Sequence, residues 1–516
     1  MGTATAMERT ELRTCLRALL FTLAGLGGAG AEAGQWVFEP RVVGALIGTD
    51  NVRLAKPGEE EADVLGFVSP GIYLSGKGNR LDLELDYQFH SGVSLTNQGR
   101  NYITHQMRSG LKSELLQDWL YFDATAGLGQ VVLDARESIP LDNLGFVGNQ
   151  ADYVRYEFLP AIRHAFGRLV TLDAVYKYGG VRYTKGASDA DIEGVSVRLA
   201  SGPRSQILTW TAKYYYEDIR RETAPNAVYD STAVDGAYRL NQHWSLVGQA
   251  GYENNFIERG TLTVNGAYWG AGVRWHPSRK FSIEAQTGDR LDYGVIQITP
   301  LTRMGLVVTY RNRSVGLNPG PVWFWNLYYR GRHSRWEGSY TEDTQLRQRQ
   351  VEYEGDLGVF AGDGRLYNPA TGDPVYCNGL DLTNCLTLTN DAYERKSGYL
   401  QGRWNTAYNE FTIRASVEER DYLTNVRHED ARSATGIWVW RLGVRTKSRL
   451  SGSLVRLWYS RDDRTDWRRI LDWRIVRDLT RKAEGSIGYS YYSRRSTDAG
   501  AEYDENRITL RLRVVF

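Results

Sequence analysis

Apolar and polar side chains alternate without interruption from Leu81 to His90: Leu81, Leu83, Leu85, Tyr87 and Phe89 fall on one face, and Asp82, Glu84, Asp86, Gln88 and His90 on the other. A period of two is the mark of a strand with one greasy and one wet face. The same period returns in Leu208, Trp210, Ala212, Tyr214 and Tyr216, set against Thr209, Thr211, Lys213 and Glu217. It returns in Phe411, Ile413, Ala415 and Val417, and again in Ile508, Leu510, Leu512, Val514 and Phe516 of the last segment. Alternation by itself does not separate a soluble β-sandwich from a membrane barrel, because each has one buried face per strand.

The spacing between strands separates them. Outer-membrane barrels join their strands by short turns on one side and longer loops on the other. Short turns are predicted at Gly76–Asn79, Leu116–Asp118, Phe166–Leu169, Leu240–His243, His276–Lys280, Arg330–Arg335, Thr406–Asn409, Arg445–Arg449 and Asp478–Lys482. Longer polar stretches lie between them: Asp50–Asp63, Leu133–Gln150, Arg221–Asn226, Thr424–Ser433 and an excursion from Thr344 to Tyr393. Ile296–Thr309 reads either as one long strand or as a hairpin turning at Pro300. Trp119, Trp210, Trp269, Trp275, Trp336, Trp438, Trp440, Trp458 and Trp473 fall mostly near strand ends, where interfacial girdles sit. Phe516, the final residue, ends an apolar strand face and resembles the C-terminal signature read by the outer-membrane assembly machinery. The pattern predicts an all-β, transmembrane, antiparallel up-and-down barrel of about 24 strands, within 22 to 26. Because the first strand is predicted to start at Trp36, neither a plug nor a periplasmic domain is expected.

Composition narrows the class further. The mean hydropathy of −0.46 and the lack of a long apolar run after the N-terminus exclude spanning helices, which need roughly 20 consecutive apolar residues. The N-terminus has the form of a cleavable export signal over residues 1–33. Arg9, Arg13 and Arg17 precede the apolar stretch Ala18–Leu26, and Ala29-Gly30-Ala31 and Ala31-Glu32-Ala33 each offer a small-residue cleavage site. Cys15 precedes the apolar stretch, which is the wrong place for a lipidated cysteine. The segment carries as many Arg as Glu, so the mature chain, 34–516, keeps the net charge of +2, and nucleic acid is not an expected partner. Cys377 and Cys385 remain, and in an oxidising compartment they are expected to form a disulfide within the long excursion.

Four stretches resemble a family of outer-membrane barrels associated with PEP-CTERM/exosortase gene systems: Trp36–Ala55 (WVFEPRVVGALIGTDNVRLA), Phe67–Phe89 (FVSPGIYLSGKGNRLDLELDYQF), Glu114–Gln130 (ELLQDWLYFDATAGLGQ) and His333–Thr344 (HSRWEGSYTEDT). The motifs are structural rather than catalytic. The resemblance implies a barrel in the bacterial outer membrane that serves polysaccharide or protein traffic at the cell surface. Its implied partners are outer-membrane lipid, periplasmic polysaccharide-export proteins, and an anionic or neutral polysaccharide.

No motif points to chemistry. Gly71–Gly78 approaches a phosphate-binding loop, but Gly78 stands where Ser or Thr is needed and a strand follows instead of a helix, so a tight turn is the better reading. The histidines, at 90, 105, 164, 243, 276, 333 and 428, lack metal-ligand spacing. No catalytic residue, metal or cofactor is expected, and no enzymatic activity.

The functional content lies in charges predicted to face the lumen. These are Asp82, Glu84 and Asp86 near the N-terminus, and Arg414, Arg420, Arg456, Arg468, Arg474, Arg507, Arg511 and Arg513 towards the C-terminus. Two readings stay open and are compatible. Such charges keep a lumen wet and pair across the closing seam, or the arginines, with Tyr and Trp as stacking platforms, guide an anionic or sugar-rich polymer. A barrel this wide must be narrowed, and the excursion Thr344–Tyr393, folded inward, is the expected constriction or gate. With the family context, these features predict an exopolysaccharide export channel. A general diffusion porin and a barrel for surface-protein display are the alternatives.

Overall fold

The computed structural model describes residues 34–96, 101–134, 136–138, 148–258, 264–316, 319–345, 359–360, 366–367, 393–422 and 427–516. Its wall opens with strands β1 Gln35–Thr49, β2 Asp63–Lys77, β3 Leu81–Ser94, β4 Asn101–Leu116, β5 Leu120–Val132, β6 Gln150–Phe166, β7 Val170–Tyr183 and β8 Ala190–Ser201. It continues with β9 Leu208–Arg221, β10 Ala227–Arg239, β11 Trp244–Glu253, β12 Gly266–Ser278, β13 Phe281–Asp289, β14 Leu291–Leu301, β15 Met304–Arg313 and β16 Gly320–Arg330. The last are β17 Ser334–Gln345, β18 Tyr393–Asn405, β19 Asn409–Tyr422, β20 His428–Gly443, β21 Thr446–Tyr459, β22 Arg464–Asp478, β23 Ala483–Ser496 and β24 Tyr503–Val515.

Each strand pairs antiparallel with its neighbours in sequence, and β24 returns to pair with β1 from Arg41↔Val515 to Thr49↔Arg507. The sheet is therefore a closed barrel of 24 long strands, all β, to which Phe256–Ile257 adds a short continuation of β11 against Ala227 and Val228. Closure leaves no unpaired edge, which is what lets a sheet stand in lipid. Ile296–Thr309 is a hairpin: β14 and β15 turn at residues 302–303, and Pro300 sits in a register irregularity between Ile298 and Leu301. Pro lacks the ladder's N–H, so it lies where the ladder is already broken.

Alternation sorts side chains between two environments. On β1, Val43, Ala45 and Ile47 are buried on the inner face while Leu46 between them is 49% exposed on the outer. On β22, Arg464, Asp466, Arg468, Asp472 and Arg474 are buried inward, whereas Trp467, Leu471 and Trp473 stand outward. This inverts a soluble protein: the exposed belt is apolar and the interior carries the charge. Aromatic contacts ring the short-turn end of the wall, and others, such as Tyr310 with Trp323 and His428 with Trp458, lie towards the opposite end. Trp119 stacks on His164 with 3.7 Å between ring centroids. Trp244 stacks on Trp275 at 6.0 Å, and Trp438 on both Phe411 and Trp440 at 5.8 Å. Short turns face the periplasm and long loops the exterior in such barrels, which places both ends of the wall on the periplasmic side.

Candidate functional site

The lumen divides into a packed outer half and a charged periplasmic half. Among the described residues, segments of two loops reach across the outer half to β22–β24. The first, residues 50–62 between β1 and β2, is held by Asn51, which is fully buried. Its Nδ2 donates to the carbonyls of Ala55 (2.8 Å) and Asp504 (3.0 Å), and its Oδ1 accepts from the Ala55 N–H. Asn51 thus closes the loop on itself and ties it to β24. The bend carries Leu54 at φ +53, a left-handed conformation costly for a branched side chain. Burial offsets that cost: Leu54 is 5% exposed and packs with Ile470, Tyr492 and Tyr503 on the inner faces of β22, β23 and β24.

The second loop, residues 133–149 between β5 and β6, has its neck fastened by Asn149, which accepts from the Asp134 N–H (2.9 Å) and donates to its carbonyl (2.6 Å). Beyond the neck, Arg136 pairs with Asp134 at 2.7 Å, and that hydrogen bond raises the pKa of Arg136 further. The Arg136 carbonyl accepts from Arg464 Nη2 at 2.8 Å and Arg494 Nη2 at 2.7 Å; Arg494 Nη1 also reaches the Glu137 carbonyl. Both arginines converge on Asp466, which is fully buried and also accepts from Ser496. Three charged groups on β22 and β23 therefore grip a loop that starts at β5, across the closing seam. Ser138 Oγ donates to the Leu54 carbonyl at 3.3 Å, so the two loops touch each other.

The periplasmic half is charged and unevenly so. On β3, Asp82, Glu84 and Asp86 line the inner face, and Asp86 forms an ion pair with Arg41 of β1. On β18–β24 the inner face is basic. The Arg414 guanidinium lies 4.1 Å from the Tyr399 ring centroid, and Arg449 and Arg474 are direct register partners on β21 and β22. Arg511 is 4.0 Å from Glu484. Arg513 opens on a cavity of about 390 Å³ that it lines with Arg445, Arg481, Lys482, Asp478 and Glu484.

Asp82, Glu84, Asp86, Arg414, Arg420, Arg468, Arg474, Arg507, Arg511 and Arg513 are thus on the inward face. Arg420, fully buried, bonds to Glu418 at 2.8 Å and lies 4.7 Å from the Tyr393 ring centroid. Arg507 bonds to Glu505 at 2.8 Å. The expectation for Arg456 is corrected: its inward neighbours Val455 and Leu457 are fully buried, while Arg456 is exposed on the outer face, 5.8 Å from the outward Trp467 ring. Phe516 is 64% exposed, and its N–H donates to the Pro40 carbonyl. Cys377, Cys385 and most of the 344–393 excursion lie outside the described residues, apart from the pairing of Val359–Phe360 with Leu366–Tyr367. Among the described residues, 50–62 and 136–138 are loop segments bonded to or packed on the inner faces of β22–β24. Asn51, Leu54, Asn149, Arg464, Asp466 and Arg494 escaped the sequence reading, because alternation assigns a side chain to a face but says nothing of the loop it meets.

A closed wall with an apolar outer belt and a charged interior admits one setting. This is an outer-membrane barrel. No protein-family model matches the sequence, and neither does any curated protein. In overall shape the barrel is similar to the FrpB iron transporter from Neisseria meningitidis, F3-3 variant, at 10% identity and a TM-score of 0.48, over 94% of this chain and 82% of that one. It is similar to the siderophore receptor PirA from Pseudomonas aeruginosa at 9% identity and a TM-score of 0.42, over 92% and 80% of the two chains. It is also similar to a loop-deletion form of OmpT, an outer membrane protein of Vibrio cholerae, at 9% identity, a TM-score of 0.30, and 94% and 100% coverage. Scores this low say nothing of cargo.

One expectation does not stand. The barrel without a plug is not carried forward as made: the described residues build the wall and parts of its loops. A wall of this width encloses more space than its own inward side chains fill, and barrels of about 22 strands have an occupied lumen.

Proposed function

We propose that this barrel is an outer-membrane channel that exports an exopolysaccharide, working with periplasmic polysaccharide-export proteins and gated by loops at its outer end. The observation that carries the reading is the grip of Arg464 and Arg494 on the backbone of the 133–149 loop, above a periplasmic half whose β18–β24 sector is lined by arginines. Backbone carbonyls held by guanidinium groups make a latch that is strong in place and reversible, since each bond is replaceable by water. Below the latch, arginine with tyrosine suits acidic sugars: the guanidinium fork matches carboxylates, and the ring face matches the apolar face of a pyranose. The acidic patch on β3 repels a polyanion and would bias it towards the basic sector. The resemblance to barrels of PEP-CTERM/exosortase systems supplies the cargo class.

Two measurements test this. Deleting the gene is expected to abolish surface polymer while synthesis continues, and unchanged surface polymer would refute the proposal. In planar bilayers the wild type is expected to be closed most of the time, and R464A/R494A to give a larger, steadier conductance. A wild type that is open and ohmic would point to passive diffusion of small solutes instead.

A further inference from the structure

The arginine that the alternation misplaced belongs to a group on the outside of the wall. Arg432 of β20, Arg456 of β21, Arg469 of β22 and Arg495 of β23 all face outward, on four successive strands. Arg432 and Arg456 are direct register partners, Arg456 is opposite Trp467, and Trp467 is opposite Arg495. Arg469 projects one outward position below Trp467, at a height above its periplasmic turn similar to those of Arg432 and Arg456. Asp430 and Asp504 share this face, and Glu419 of β19 stands opposite Asp430. Asp430 lies 3.1 Å from Arg432, and Asp504 bonds to Arg495 at 2.6 Å. Arg456 and Arg469 are exposed and have no carboxylate partner among the described residues. Directly below, towards the middle of the membrane, the outer face is apolar: Leu454 is 55% exposed, Leu471 41% and Ile487 50%.

We propose that this patch is a binding site for the phosphorylated sugar headgroup of the glycolipid that forms the outer leaflet of the bacterial outer membrane. Position, charge and shape each support that occupant. The patch borders the apolar belt on the exterior side, beside an indole, where headgroups lie. Arg456 and Arg469, without a carboxylate partner among the described residues, leave positive charge on this face, and two arginines opposed on neighbouring strands repel each other unless an anion lies between them. Guanidinium forks bind phosphate in a bidentate manner, and the apolar surface beneath receives acyl chains covalently joined to that headgroup. A free phosphate would use the arginines but leave the apolar surface unexplained.

The test compares wild type, R456S/R469S, the conservative R456K/R469K, and R477S, which removes an outward arginine at the periplasmic end of the same strand. Each is purified in detergent from the outer membrane of a Gram-negative host, shown to be folded by heat-modifiable gel migration, and weighed for bound glycolipid by mass spectrometry. Wild type and R477S are expected to retain the glycolipid, the Ser double variant to hold at least fivefold less, and the Lys variant to fall between. Equal content in all four would overturn the proposal. The folded proteins are then heated in vesicles containing the bisphosphorylated glycolipid or its dephosphorylated form. The bisphosphorylated form is expected to raise the midpoint for wild type more than for R456S/R469S. An equal rise with either form, or with inorganic phosphate alone, would also overturn it.

Discussion

Arg494 is wholly buried on the inner wall and bonds at once to Asp466 and to the backbone of a loop from across the seam. Truncating it removes one of the two guanidinium groups from buried Asp466 and from the Arg136 carbonyl, and takes the Arg494 bond from the Glu137 carbonyl. Breaking a buried pair on one side costs about 3–5 kcal/mol. We therefore expect R494A to unfold at clearly lower denaturant, and trypsin to cut after Arg136 at least tenfold faster than in wild type. An unchanged cutting rate would show that the loop does not depend on this latch. Leu54 poses the opposite balance, an unfavourable backbone exchanged for a buried side chain. L54A keeps the strain and loses the packing, a loss of about 2–4 kcal/mol from the loop's inward state. It is expected to increase the open time of the channel, read in single-channel records, without lowering the melting point of the wall by more than a few degrees.

Within a strand, the two faces answer to different solvents. Leu471 on β22 lies in the apolar belt, one residue from the fully inward Ile470 and Asp472. L471R would put a charge in hydrocarbon at about 2–4 kcal/mol near the midplane and less towards an interface. Refolding into thin-bilayer vesicles with urea titration is expected to show that loss, whereas arginine already stands at neighbouring inward positions. The terminal strand carries a separate kinetic prediction. Phe516 is mostly exposed, and its described hydrogen bond is a backbone one to Pro40. Deleting its ring, F516A, should leave the final stability near wild type and slow assembly in cells severalfold. Pulse-chase of the heat-modifiable form measures this, and unchanged assembly kinetics would mean that Phe516 is not read as a signal.

On the scale of the whole molecule, the barrel joins distant parts of the chain only through closure. β1 and β24 are the two ends of the described wall, yet Thr49 Oγ1 donates to Glu505 at 2.7 Å, and Asn51 reaches the Asp504 carbonyl. The seam is thus built from neutral and loop contacts as well as charge, while Asp86 finds its arginine on β1. The polarised lumen follows from this arrangement: an acidic sector on β3 and a basic one ending at β24 become near neighbours only when the sheet closes.

The sequence by itself determined the strands, their number within its stated range, and the face of most inward charges, because lipid on one side and water on the other force a period of two that composition cannot disguise. It missed the face of Arg456 because charge alone does not say which solvent an arginine meets: near a headgroup region a guanidinium is as well placed outward as inward. It located the loops by length but not their paths. Residues 50–62 and 136–138 turn inward because buried positions on β22–β24, far off in sequence, offer an apolar pocket for Leu54 and two guanidinium groups for the carbonyls of Arg136 and Glu137. Those partners exist only once the sheet has closed. The outer half of the lumen was therefore decided by tertiary structure, where contacts between residues hundreds of positions apart outweigh any local preference.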